Sequence, residues 1–156
     1  AKMKRFLPGI ILILMCFASC DSAKVFEENY DFEENSWYLD TIPVFEFEIE
    51  DLEEKNVIVN LRNSASYPYQ NIYLSYNLLD SNSKVLESKL IDISLFDEKT
   101  GKPFGSGSSV FAHEQNLLEG FRFPIVGKYR ISIAHYMRQL NLPEVYSVGV
   151  RIEDTK

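Results

Sequence analysis

The sequence predicts an all-β protein, a single antiparallel β-sandwich of about seven to eight strands, jelly-roll or immunoglobulin-like, behind a cleaved lipoprotein signal peptide. Three observations carry this. Residues 43–50 are the clearest strand, in which Phe45, Phe47 and Ile49 alternate with Glu46, Glu48 and Glu50. That period of two, with one apolar and one charged face, is a half-buried strand. Turn signals then recur every eight to twelve residues or so, the spacing of a sandwich. Finally, the first twenty residues end on small side chains and Cys20.

The N-terminal segment is read first. Lys4 and Arg5 form a basic start, and an apolar run extends over residues 6–17, broken at Pro8-Gly9. The run is about twelve residues long and a spanning helix needs about 20, so it reads as the core of a secretion signal. Phe17-Ala18-Ser19-Cys20 has the form of a lipobox, with Phe17 where leucine is usual. Met3 is the expected start and Cys20 the expected lipid-attachment site. Cys16 leaves with the signal, so no disulfide is expected even outside the cytosol. Processing also removes Lys2, Lys4 and Arg5, leaving 13 basic against 23 acidic side chains, a net of −10. An acidic domain repels nucleic acid and anionic headgroups, so membrane attachment would rest on acyl chains. The expected layout is a signal peptide at 1–19, a lipidated tether with the first edge strand at 20–34, and the sandwich at 35–156.

Along the mature chain, residues 25–30 suggest an edge strand and Glu33-Glu34-Asn35-Ser36 a turn. The strand at 43–50 and a strand at 56–63, with Val57, Val59 and Leu61 on one face, read as a hairpin across 51–55. Residues 64–70 are a loop carrying Tyr67-Pro68-Tyr69, 71–79 a strand, and Asp80-Ser81-Asn82-Ser83 a turn. Residues 84–96 favour one or two strands on their β-branched content. Residues 97–109 read as a loop ending in flexible Gly105-Ser106-Gly107-Ser108-Ser109. Residues 110–118 are a short strand or helical turn, 120–124 an edge segment, and 128–135 a strand alternating through Tyr129, Ile131 and Ile133. Residues 136–141 read as a helical turn before Pro143. The last strand, 145–153, turns Val148, Val150 and Ile152 inward.

No catalytic set assembles from these residues. His113 and His135 are the only histidines, and neither has a second ligand at metal spacing, so no metal and no cofactor is expected. The Gly-Ser loop lacks the serine-centred G-x-S-x-G arrangement of a nucleophile elbow and the lysine of a phosphate loop. Glu46, Glu48 and Glu50 are explained by a solvated strand face. Trp37, Tyr38, Tyr67, Tyr69 and Tyr73 lie in or near loops, where aromatics plug a sandwich end, stack on sugars or anchor a partner. Arg62, Arg138 and Arg151 sit beside apolar strand residues, placed for carboxylate pairs or an interface.

Three segments carry a family resemblance. They are Val59-Asn60-Leu61-Arg62-Asn63 with Tyr67-Pro68-Tyr69-Gln70-Asn71-Ile72-Tyr73-Leu74, then Phe123-Pro124 through Gly127-Lys128-Tyr129 to Met137-Arg138, and Val148-Gly149-Val150-Arg151-Ile152-Glu153. In order and spacing the chain resembles the gliding-motility lipoprotein family GldH of Bacteroidetes. The resemblance implies a non-catalytic lipoprotein anchored in the outer membrane, with the periplasmic face the expected side. It would support gliding and the associated secretion machinery through protein partners. A carbohydrate-binding or substrate-capture lipoprotein is the alternative. Pro68 fixes φ and restricts its neighbour, so Tyr67 and Tyr69 are presented in an extended turn. Arg62, Asn63, Tyr67, Tyr69 and Arg138 are therefore the expected partner-binding residues. Asp21-Ser22-Ala23 and Asp40-Thr41-Ile42 match an Asp-Ser/Thr-aliphatic acceptor pattern, which makes Ser22 and Thr41 candidate O-glycosylation sites.

Overall fold

Strands that alternate apolar and polar residues each present one face that must be buried, and two such faces bury each other. The structure, a computed structural model, describes residues 23–155. Cys20 and Ser22 lie outside the described residues. The strands are β1 (Lys24–Asp31), β2 (Ser36–Tyr38), β3 (Val44–Ile49), β4 (Lys55–Ser64), β5 (Asn71–Asp80), β6 (Val85–Ser94), β7 (Val110–Phe121), β8 (Gly127–His135), β9 (Asn141–Pro143) and β10 (Val145–Asp154). A 3-10 turn at Glu33–Asn35 precedes β2.

The first sheet has the order β1-β10-β4-β7 and the second β3-β8-β5-β6, with β2 and β9 forming a separate ribbon. Every pairing is antiparallel. Apart from the β5–β6 hairpin, successive long strands alternate between the two sheets. That interleaving is the jelly roll and not the immunoglobulin arrangement. The core is the shared inner surface: Phe45, Phe47 and Ile49 of β3 lie in one cluster with Val57, Val59 and Leu61 of β4 and Val148, Val150 and Ile152 of β10. Burying each such side chain contributes roughly 1.5–3 kcal/mol.

This topology corrects the expected β3–β4 hairpin. β3 pairs with β8, while β4 lies between β10 and β7. The short link after β3 crosses from one sheet to the other, so the two amphipathic strands face each other instead of lying side by side. Lys55 fixes the crossing: its Nζ donates to Asp51 Oδ1 and Asp154 Oδ1, each at 2.6 Å, from a side chain only 1% exposed. Burial disfavours that ammonium, but the bonds to Asp154 and Asp51 prevail and hold its pKa above the ordinary lysine value.

Other segments also differ from expectation. Residues 136–141 form no helical turn, because Arg138 takes φ +57° and the chain re-enters a ribbon at β9. The expected edge segment at 120–124 begins as the end of β7. The Gly-Ser loop is folded back on β7, where Ser106 N donates to Ala112 O at 3.0 Å and Ala112 N to Ser106 O at 2.8 Å. Gly105 is required there: a Cβ would meet Ala112 O and His113 Nε2 at 2.7 Å.

The sandwich has two distinct ends. Lys24, Glu153 and Asn56 align at one end, with Lys55 opposite Phe121 and Ile49 opposite Gly127. The chain enters here, where Asp154 N donates to Ala23 O. At the far end β1 leads through Phe32 into the β2–β9 ribbon. Trp37 is fully buried there, stacked on Phe32 at 4.6 Å and edge-on to His135 at 5.4 Å. Its Nε1 donates to Thr41 O at 2.8 Å.

Candidate interaction surface

Along β5, Ile72, Leu74 and Tyr76 point inward, so Tyr73 points out. Tyr73 pairs with Asp92, and Leu90 of β6 stands opposite Ser75 on the same outer face. β8 ends beside them, with Tyr136 N donating to Tyr73 O at 2.7 Å. The chain then turns sharply. Met137 N donates to His135 Nδ1, and Met137 Sδ accepts from Tyr73 N at 3.2 Å. The thioether thus satisfies a backbone donor that would otherwise end the ladder unpaired. Arg138 follows at φ +57°, a conformation that arginine adopts only when its surroundings impose it. Tyr73, Leu90, Tyr136, Met137 and Arg138 line one shallow, mostly apolar groove.

The predicted partner-binding residues do not converge. Arg138 lies in this groove, on the outside of the second sheet. Arg62 is exposed on the outside of the first sheet, opposite Ser147 and Ala112. Asn63 is fully buried, its Nδ2 donating to Ser64 O at 3.0 Å. Tyr67 is buried as well, with its hydroxyl donating to Asn71 O at 3.0 Å, and burial raises its pKa. Only Tyr69 of that loop is presented, at 37% exposure, edge-on to Tyr67 at 5.8 Å. Asn63 and Tyr67 therefore hold the loop from beneath. Thr41 is half-buried, its carbonyl engaged by Trp37. Leu90 and Tyr136 are not candidates from sequence, and Met137 enters there only as part of the family resemblance. The inward parity of Ile91 and Ile93 was the signal that puts Leu90 outside.

The remaining polar groups fit structural roles. Glu46 and Glu48 line the outside of β3 opposite Arg130 and Lys128. On the first sheet, Arg151 binds Glu114 through two bonds of 2.7 and 3.0 Å, which lowers the Glu114 pKa. Among the described residues, no three His, Cys, Asp or Glu side chains are placed to hold a metal ion. His113 and His135 are both buried, and their Nε2 atoms find no hydrogen-bond partner among the described residues. Burial lowers both pKa values from 6.5, and at His135 the Trp37 backbone partly opposes the shift. A histidine depressed in the fold takes up its proton more readily when unfolded. The stability these two histidines contribute is therefore present above pH 6.5 and is lost as pH drops below that value. Thermal melts should show this decline before carboxylates protonate at about pH 5 and below. His113→Gln with His135→Gln should flatten it; an unchanged slope would assign the decline to other groups.

Comparison with known proteins adds a family. The family model described as GldH lipoprotein matches residues 24–152. A protein named gliding motility lipoprotein GldH homolog, from Christiangramia forsetii, is 28% identical over 153 residues, covering 92% of this chain and 91% of the relative. Gliding motility lipoprotein GldH of Flavobacterium johnsoniae is 26% identical over 155 residues, covering 93% and 94%. Among solved structures, the infectious bursal disease virus VP2 subviral particle aligns at TM-score 0.37 and 10% identity. The match covers 95% of this chain but 38% of that one, a likeness too weak to carry an inference.

Proposed function

The chain belongs to the GldH lipoprotein family, and on that premise we propose that it is a lipid-anchored outer-membrane component that supports gliding motility and the associated protein secretion. It does so through protein contacts, without catalysing a reaction. Cys20 carries the lipid, residues 1–19 are removed, and the domain faces the periplasm. Because β1 pairs with β10 along its length, residues 24–34 fold with the sandwich, and the tether shortens to residues 20–23.

The observation that carries the contact mechanism is the groove of Tyr73, Leu90, Tyr136, Met137 and Arg138. Exposed apolar surface next to an arginine and two tyrosines has the composition of an interface hot spot. Tyr69 extends the same kind of surface to the far end. Burial of Trp37 counts against the sugar-binding alternative, since it removes the best stacking residue from the surface.

Tyr136→Ala with Arg138→Ala should reduce recovery of envelope partners on affinity purification by tenfold or more, roughly 1.4 kcal/mol or above for two central interface residues. The melting temperature should change little, because both side chains are exposed. Arg62→Ala, on the opposite face, serves as the comparison. Loss of partners with Arg62→Ala alone would move the interface to the first sheet, and retention in every variant would remove the contact mechanism.

A further inference from the structure

The end of the sandwich where the chain enters carries a second apolar feature, and its place relative to Cys20 gives it a meaning. Between β7 and β8 the chain runs Arg122-Phe123-Pro124-Ile125-Val126-Gly127-Lys128. Phe123 turns inward and packs against Phe121, Phe47 and Tyr129, with ring centroids 4.9, 5.9 and 4.8 Å away. Ile125 and Val126 project outward instead, 59% and 53% exposed. They are not on a slack loop. The Tyr129 hydroxyl donates to Ile125 O at 2.6 Å and accepts from Ile125 N at 3.3 Å, so one side chain pins both backbone groups of the tip. Leu52, 48% exposed, is on the β3–β4 link at the same end. A rigid apolar tip costs little further ordering when it is buried against something.

We propose that Ile125 and Val126 rest in the interfacial region of the lipid bilayer, so that the domain stands on the membrane by this end. The proposal relies on lipidation of Cys20, as in the function proposed above. Only Cys20, Asp21 and Ser22 lie between the lipid and the first described residue. Three residues span at most about 10 Å when fully extended. Ala23 sits at the same end as the tip, because Lys24 aligns with Glu153, Glu153 with Asn56, Lys55 with Phe121, and Ile49 with Gly127. The lipid therefore brings this end, and no other, within reach of headgroups.

The local charges permit such a contact. Asp51 and Asp154 are both bound by Lys55, and Glu54 is bound by Arg122 at 3.0 Å. Those carboxylates do not face the bilayer unpaired, while the exposed Glu50 and Glu53 at the same end favour zwitterionic over anionic headgroups. With strands of about 3.3 Å per residue, the ten-residue β4 and β5 place the far end roughly 30 Å away. The groove with Arg138 and the exposed Tyr69 would then be held out from the membrane, toward partners.

Trp37 is the sole tryptophan, and it is buried at the far end. The mature lipidated protein carrying Val126→Trp, and separately Ile125→Trp, is reconstituted into phosphatidylcholine vesicles with and without brominated acyl chains. Flotation shows whether the protein is bound. Bromine quenches indole only at close contact, so the emission added at position 126 or 125 should fall in brominated vesicles. Trp37 in the parent protein should be unaffected. Flotation without quenching at either position would overturn this proposal and leave the anchor intact, as it would if the tip binds a protein partner instead. Failure to float would overturn the anchor and this proposal with it.

Discussion

Trp37→Ala should cost about 3–5 kcal/mol, the range for emptying a large aromatic site in a core. Against a typical domain stability of about 5–15 kcal/mol, that is a large share of the total. The cost is high because Trp37 joins separate parts of the far end. Its ring stacks on Phe32, which follows β1, and meets His135, which ends β8. Its backbone pairs with Leu142 in the β2–β9 ribbon, and its Nε1 holds the carbonyl of Thr41. Removing the indole leaves a cavity under a ribbon of two three-residue strands, which has little other support. The melting temperature should fall by roughly 10–15 °C, and the urea midpoint should fall with little change in slope. Trp37→Phe should recover much of this, because it restores most of the volume and loses the bond to Thr41. A loss below about 1 kcal/mol for Trp37→Ala would show that the far end repacks freely and that the ribbon is not built on this residue.

Much of the strand pattern could be read from the sequence, because period-two alternation records burial directly. β3 shows this from its second position on, with Phe45, Phe47 and Ile49 buried and Glu46 and Glu48 exposed, whereas the apolar Val44 at its start is exposed. The partners of each strand could not be read. A short, mostly acidic turn looks the same whether the next strand pairs alongside or crosses to the facing sheet, which is why the β3–β4 link reads as a hairpin. Burial of Asn63 was legible in principle: it shares the parity of Val57, Val59 and Leu61, and so points inward with them. Tyr67 follows a turn that breaks the parity, and no local signal shows that its hydroxyl reaches Asn71. The candidate groove was hidden for the same reason. Tyr73 and Leu90 come from β5 and β6 and Tyr136 follows β8, so only the β6-β5-β8 order makes them neighbours. Two segments that carry the family resemblance also meet only in the fold. Asn60 of β4 aligns with Gly149 of β10, and Leu61 with Val148.

Cys20→Ser should abolish acylation, remove the protein from the outer-membrane fraction and eliminate its contribution to gliding, while the domain from residue 23 onward still folds. Folding should survive because the core lies between two four-stranded sheets. Membrane residence should not survive, because the proposed anchor is the acyl chains on Cys20. With residues 1–19 removed, as proposed, the net charge would be −10, which disfavours attraction to anionic lipid. Among the described residues, no helix is long and apolar enough to cross a membrane. The Ile125–Val126 tip is too small to hold the domain alone, since even a single acyl chain binds only marginally and stable anchoring takes two. Surface attachment would raise the local concentration at which the contacts proposed at Tyr136 and Arg138 act. Radiolabelled palmitate incorporation, fractionation and a gliding assay on the same strain separate these steps. Full gliding with an unacylated, released domain would mean that its partners capture it without the membrane. The anchor would then be an address and not part of the mechanism.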